Sequence, residues 1–465
     1  MNKFRAVPLT VFILFTLFLP SGMVKAQTIS ASGPVYIVKL GDSLWDIAYR
    51  FHVSQQALAS ANGIINTDQI SIGESLVIPG LEGIQGVLST ENVTYGETLH
   101  SLSLRYQIPV GVLERLNHLT SPNELYAGYS LVILQKENPS TSGKRAALGA
   151  GQSLLELAVL NDTDLWTILA GNQLDNSTRL LPGDVFRVPG KQDSGPGAIP
   201  PEITTLKISS IVQGKTAEIQ IEGSDGLSSS GFLVDHPLNF FQNADGHYYA
   251  LQGVDSRVEP GLYPVDLHGD SPTGLPFDFS QMVLITSGNY SSEYITNVDP
   301  LTLDPTVTKP EDQLWSQLSS PVSPEKLWEG LFSLPVDQTF AGCYSSWFGT
   351  RRSYNGSPFN YVHTGQDFCG QEGNPIYAAA AGVVVYTGHL TVRGNATMID
   401  HGWGVYSAYM HQSEILVNVG DRVEQGQLIG RVGRTGRVEG PHLHFEVIVG
   451  GVQVDPLEWL NQVFP

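Results

Sequence analysis

The sequence predicts a multidomain, mainly-β chain: three small β-α-α-β modules, an antiparallel β-sandwich of immunoglobulin-like pattern and a C-terminal mainly-β domain. Three observations predict it. The N-terminal part repeats itself with a period of 55 residues, the middle alternates apolar residues between turn signals, and the last part is built of short valine-rich runs broken by glycine. At 465 residues the chain has room for several domains.

Residues 1–26 read as an address. Lys3 and Arg5 precede an apolar run from Val11 to Leu19, and Val24-Lys25-Ala26 ends in small residues, which predicts a signal peptide cleaved after Ala26 and a secreted or extracytoplasmic protein. The run is short for a membrane span. Removing Lys3, Arg5 and Lys25 takes the formal charge from −20 to −23, a balance that argues against a nucleic-acid partner. The two cysteines, Cys343 and Cys369, lie in the same late domain and can form one bridge in an oxidising compartment or remain as two buried thiols.

The repeats align on three anchors. GDSLWDIA begins at Gly41, GETLHSLS at Gly96 and GQSLLELA at Gly151; Asn62, Asn117 and Asn172 keep the step of 55, as do Gly73, Gly128 and Gly183. Within the first copy, Tyr36 and Val38 alternate as in a strand, Gly41-Asp42-Ser43 turns the chain, and Leu44, Ile47 and Ala48 follow at helical spacing. A second helix is expected to about Ala61, then a strand through Leu76 and Ile78 that Pro79 ends.

YIVKLGDSLWDIAYRF, Ala61-Asn62-Gly63 and GESLVIPG resemble the LysM module, with copies at 36–80, 91–135 and, degenerate, 146–190. The resemblance implies binding of N-acetylglucosamine-containing glycans through Gly41, Asp42, Ser43 and Leu44 and the loop at Asn62. A shallow turn offers backbone N–H and C=O groups to sugar amides and hydroxyls. The same residues also serve simply as turns and caps.

Residues 191–202, with Gly195-Pro196-Gly197 and Pro200-Pro201, read as a linker. The sandwich is expected over 203–298, where Ala217, Ile219 and Ile221 alternate and Pro260-Gly261 marks a turn. His236, His247 and His268 stand apart there and read as surface histidines. Over 299–333, Leu314 and Leu318 and the start signal Ser323-Pro324 before Leu327 and Trp328 predict two short bracing helices.

The last domain, 334–465, carries the chemistry. His442-Leu443-His444 starts a strand after Gly440-Pro441, so both histidines share one face. His363-Thr364-Gly365-Gln366-Asp367 lets an imidazole and a carboxylate converge across a glycine. Together they supply two nitrogens and one carboxylate and leave a fourth tetrahedral position open, the ligand count of a catalytic zinc. His401, in the turn Asp400-His401-Gly402, and His389 read as structural or surface residues, Glu446 as a ligand-orienting group or a solvated carboxylate, and Arg351-Arg352 as a basic entry to the cleft or, the favoured reading, an ordinary hairpin rim.

HTGQD, DHGWGVYSAYMH and GPHLHFEV resemble the lysostaphin-type zinc endopeptidases of peptidoglycan. The resemblance implies one Zn2+ per chain on His363, Asp367 and His444, with His442 and His411 as the catalytic pair beside the water. Joined to the repeats, it implies an enzyme that binds peptidoglycan glycan strands and cuts stem or bridge peptides. The alternative is a catalytically inactive peptidoglycan-binding activator of other wall hydrolases.

Overall fold

In the computed structural model, which describes residues 33–465 apart from 136–142, 175–179, 192, 194, 224, 272 and 273, the first two repeats share one sheet. The signal peptide expected over 1–26 lies outside the described residues. Val35–Ile37 pairs antiparallel with Ser75–Val77 and parallel with Val87–Asn92, which pairs in turn with Ser130–Gln135. Helices Leu44–Arg50 and Gln55–Asn62 lie between the strands of the first copy, and Leu99–Tyr106 and Val110–Asn117 between those of the second. The third copy keeps a two-stranded sheet of Lys144–Ala147 and Val185–Val188 around helices Leu154–Leu160 and Leu165–Gly171.

The recurring asparagines explain themselves. Asn62 accepts from Val77 N–H at 2.7 Å and donates to the carbonyls of Val77 at 2.8 Å and Leu58 at 2.9 Å. Asn117 does the same with Val132 and Leu113, and Asn172 with Arg187 and Ile168. A short amide carries both donor and acceptor, so it can stand in for a neighbouring strand and pin the helix end to the sheet.

The segment expected as a free linker is packed instead. Pro196, Gly197 and Ile199 are buried. Arg145, itself buried, brings Nη1 within 3.2 Å of the carbonyl oxygens of Pro196, Ile199, Pro200 and Ile203 and pairs through Nε with Asp193 at 2.6 Å. The composition suggested a spacer because the segment has no core of its own; a guanidinium borrowed from the third repeat satisfies its carbonyls.

Eight strands between Ile203 and Ile285 form two four-stranded sheets that enclose one apolar core. The strand Tyr248–Gly253 is buried on both faces: Tyr248 and Ala250 enter this core, while Tyr249 and Leu251 enter that of the last domain. Lys215 pairs with Asp455 at 2.7 Å and Trp459 Nε1 donates to Thr216 Oγ1 at 3.0 Å across the same boundary.

Of the two expected bracing helices one forms. Pro305–Ser319 starts on the Asp304 side chain with proline in its first turn. No helix forms at Ser323-Pro324, where the chain runs as a strap with Trp328 wedged against Trp403 and Trp459, each at 5.7 Å between ring centroids. Its backbone bonds go to neighbours: Trp403 N–H donates to Ser323, Leu327 N–H to His401 and Phe332 N–H to Trp459. Tertiary pairing replaced the internal ladder that the local signal called for.

The last domain is a ten-stranded sheet whose centre runs Gln366–Cys369, His442–Val449, Val405–Ile415, Gly394–Gly402. Cys343 and Cys369 are disulfide-bonded, tying the edge strand Tyr344–Ser346 to the strand of Asp367.

Candidate functional site

Two antiparallel strands set the site. Asp367 stands opposite His444 and Cys369 opposite His442. Period-two geometry then puts His442, His444 and Glu446 on one face, while Leu443, Phe445 and Val447 are fully buried on the other. Gly365 lets His363 fold back over this face: a Cβ there would lie 2.4 Å from the Phe445 carbonyl oxygen and 2.7 Å from His444 Nε2. His411 joins from the strand Val405–Ile415 at φ 61°, where the pairing with Gly394–Gly402 is irregular.

Each imidazole has one nitrogen committed to an oxygen. His363 Nδ1 faces the Trp347 carbonyl at 2.9 Å, His411 Nδ1 that of Thr435 at 2.8 Å and His442 Nδ1 that of Gly440 at 2.9 Å. His444 differs, presenting Nε2 to the Glu446 carboxylate at 3.2 Å. Because these oxygens only accept, the facing nitrogens carry hydrogens, and the opposite nitrogens are the ones that can offer lone pairs to a cation.

Three of the remaining donor atoms converge. His363 Nε2 and His444 Nδ1 are 3.0 Å apart, and Asp367 Oδ1 lies 3.0 Å from the first and 2.7 Å from the second. Three lone pairs at this spacing repel one another unless a cation or a proton sits among them. The three residues are the group among the described residues able to hold a metal ion, all donor atoms lying within 4.8 Å of one another. Two imidazole nitrogens and one carboxylate suit a divalent transition metal with an open position.

Electrostatics point the same way. Burial opposes a charge on Asp367, but the charges and hydrogen bonds of His363 and His444 hold its carboxyl well below the usual range. Burial likewise opposes protonation of His444; hydrogen bonds to Asp367 and Glu446, with their negative charge, outweigh it and push its pKa up to about 9. The surrounding carboxylates thus favour positive charge where these donor atoms meet. His363 and His411 are pushed down, by burial first, and His411, held well below the usual range, is neutral at physiological pH.

The cleft above these groups encloses about 850 Å3 and is also lined by Glu293 to Asp299 from the segment ahead of the last domain. His411 and His442 face each other there, with ring centroids 4.9 Å apart, and His442 Nε2 is 3.7 Å from Asp367 Oδ1.

Several expectations change. Glu446 is not solvated: it is 1% exposed, accepts from Thr364 Oγ1 at 2.6 Å and Trp315 Nε1 at 2.9 Å, and fixes His444. Arg352 is more than a hairpin rim, since it donates to Glu293 at 2.5 Å and Ser346 at 2.6 Å and brings Nη2 to 3.7 Å from Asp367 Oδ2. Adjacent arginines a dozen residues before the HTGQD run were the available signal. Trp315 gave none beyond helical spacing, because its partner lies 131 residues away.

His401 sits in a strand rather than a turn, wholly buried between Ala381 and Ser407, and His389 is exposed beside Asn395.

Most of the proposed glycan-contact side chains are used by the fold. Asp42 accepts from Tyr36 Oη at 2.7 Å and from Lys39 N–H, and pairs with Arg50. Ser43 caps a helix, Leu44 is buried and Asn62 is the clamp described above. Of the five, Gly41 leaves its turn open to solvent, with nothing within 4 Å of where a Cβ would stand. Backbone, not side chain, is what the turn can offer a ligand.

The model of peptidase family M23 matches residues 361–456, and the LysM domain model matches 36–79, 92–133 and 149–189. The chain is 42% identical over 124 residues to the peptidoglycan DD-endopeptidase ShyA of Vibrio cholerae, covering 27% of this chain and 28% of that protein. It is 40% identical over 111 residues to the DD-carboxypeptidase/endopeptidase Mpg of Neisseria meningitidis, covering 22% and 26%.

The matched stretch is thus little more than a quarter of those relatives' length. Among solved structures, the catalytic domain of lysostaphin from Staphylococcus simulans is 30% identical, with 27% of this chain and 99% of that one covered and a TM-score of 0.24. The chain carries a C-terminal domain of peptidase family M23 preceded by three LysM domains.

Proposed function

We propose that this protein is a secreted zinc metalloendopeptidase that hydrolyses peptide cross-links of bacterial peptidoglycan and is held at the wall by its LysM domains. The observation that carries it is the convergence of His363 Nε2, Asp367 Oδ1 and His444 Nδ1 at 2.7 to 3.0 Å in an open cleft that His411 and His442 also line. Zinc held by His363, Asp367 and His444 would supply Lewis acidity and acidify the attacking water to a pKa of about 7.

The chain's own residues do the rest. His411 and His442 have Nδ1–H committed to carbonyls, so each starts as an acceptor at Nε2. His442, at the cleft edge, takes the proton of the attacking water; the water oxygen bonds the scissile carbonyl carbon. The imidazolium so formed is a donor and returns that proton to the leaving amine as the C–N bond breaks. His411, buried and neutral, orients the water as a second acceptor. Glu446, backed by Trp315 and Thr364, keeps His444 Nδ1 aimed at the site.

Metal analysis of the purified protein and mass spectrometry of fragments released from purified peptidoglycan test this. About one zinc per chain with cleaved peptide cross-links is expected. A metal-free active protein, or a zinc-loaded one that cleaves no peptide bond and only stimulates other hydrolases, would overturn it.

A further inference from the structure

The three LysM domains are not equivalent. At the first, Leu40 is 86% and Ile72 68% exposed around the Gly41 turn. The matching positions of the third, Ala150, Gly151 and Pro182, are also exposed. In the second, Tyr95 packs on the sandwich core, Gly96 is buried and Ala127 is 8% exposed. A Cβ on Gly96 would lie 2.3 Å from Pro196 and 2.8 Å from Ile199, whereas one on Gly41 or Gly151 would meet nothing.

What fills the second turn is chemically specific. Gln281 Oε1 accepts from Gly96 N–H at 2.9 Å, and Gln281 Nε2 donates to the Thr94 carbonyl at 3.1 Å. Ala198 N–H donates to the Gly96 carbonyl at 3.0 Å, Gly197 N–H to Glu97 at 3.0 Å, and Ala127 N–H to the Met282 carbonyl at 3.0 Å. A primary carboxamide therefore offers this backbone one acceptor and one donor, the same pair an N-acetyl group offers. Pro196 and Ile199 cover the turn from the apolar side.

We propose that the glycan-binding turn of the second LysM domain is occupied by the chain itself, with Gln281 as an internal stand-in for the acetamido group. Glycan binding then belongs to the turns left open at Gly41 and Gly151, and the second domain fixes the first to the sandwich, while the third meets the sandwich itself, through Arg145 and through Gly149 and Gly183 against Leu275 and Pro276. The assignment of glycan sites rests on the LysM function proposed above; the internal occupation rests on the contacts alone.

Hydrogen–deuterium exchange of the full chain, with and without an N-acetylglucosamine hexasaccharide, separates the two. Without sugar, amides 94–99 should exchange at least about tenfold more slowly than amides 39–44. With sugar, 39–44 and 149–154 should slow and 94–99 should not change. Equal exchange of 39–44 and 94–99 without sugar, or slowing at 94–99 with it, overturns the proposal.

If sugar protects no domain, the glycan function falls and the sugar-free comparison still decides the occupation. Gln281→Met, with amides 248–253 as folding control, should speed exchange at 94–99 by about tenfold. Unchanged exchange there removes Gln281 from the role.

Discussion

Four imidazoles in the last domain each commit one nitrogen to an oxygen and keep the other for the cleft, whereas the three repeat asparagines spend both amide hydrogens and the carbonyl on their own fold. The difference teaches how recurrence should be read. A residue that returns every 55 positions marks what each small module needs to close; the residues that occur once, on neighbouring strands, converge on the cleft. Removing one of each kind should fail differently.

The largest effect is expected at the metal centre. His444→Ala should remove zinc and lower peptide hydrolysis by about three orders of magnitude or more, with the sheet intact by circular dichroism. Full hydrolysis in that variant would break the comparison at its chemical end.

The next effect is on acid stability. Burial pushes the pKa of His401 down to about 4. The unfolded chain takes a proton there near pH 6.5 while the folded one does not, so its contribution is intact above 6.5 and falls by about 1.4 kcal/mol per unit as pH drops toward 4. The asparagine clamps do not titrate. Segment-resolved exchange between pH 7 and 4.5 should therefore show the peptidase sheet loosening beyond its intrinsic pH dependence; His401→Gln should flatten that slope.

Asn117→Ala should cost about 2 to 3 kcal/mol in urea unfolding of the repeats, because Val132 N–H and two carbonyls are left buried and unpaired. Asn62→Ala, at a half-buried position, should cost less, and neither should alter zinc content. The smallest effect is expected one step behind the metal: Glu446→Gln should weaken zinc binding about 10- to 100-fold in a chelator competition, and Trp315→Phe less, in the same direction. Zinc affinity unmoved by either would leave Glu446 a purely structural carboxylate.

Much of the candidate site was legible in the sequence because its residues sit within short motifs on alternating strands. HTGQD and HLH each contain their own geometry, and one antiparallel register brings Asp367 opposite His444. The supporting groups were not legible. Trp315 and Arg352 act through partners far along the chain, and whether Glu446 is wet or buried depends on a helix packing over it.

The sequence by itself determined the modules, their period, and the spacing of the residues proposed to hold the metal, since these follow from local turn chemistry and strand alternation. Only the tertiary structure decided which turns stay open, that Pro196 to Pro200 is docked, that the second bracing helix yields to a tryptophan-anchored strap, and that the two cysteines are joined. Those outcomes depend on which surface competes for a backbone group or a cavity. Such a competition is settled by neighbours far along the chain, as Gln281 is for Gly96 at a separation of 185.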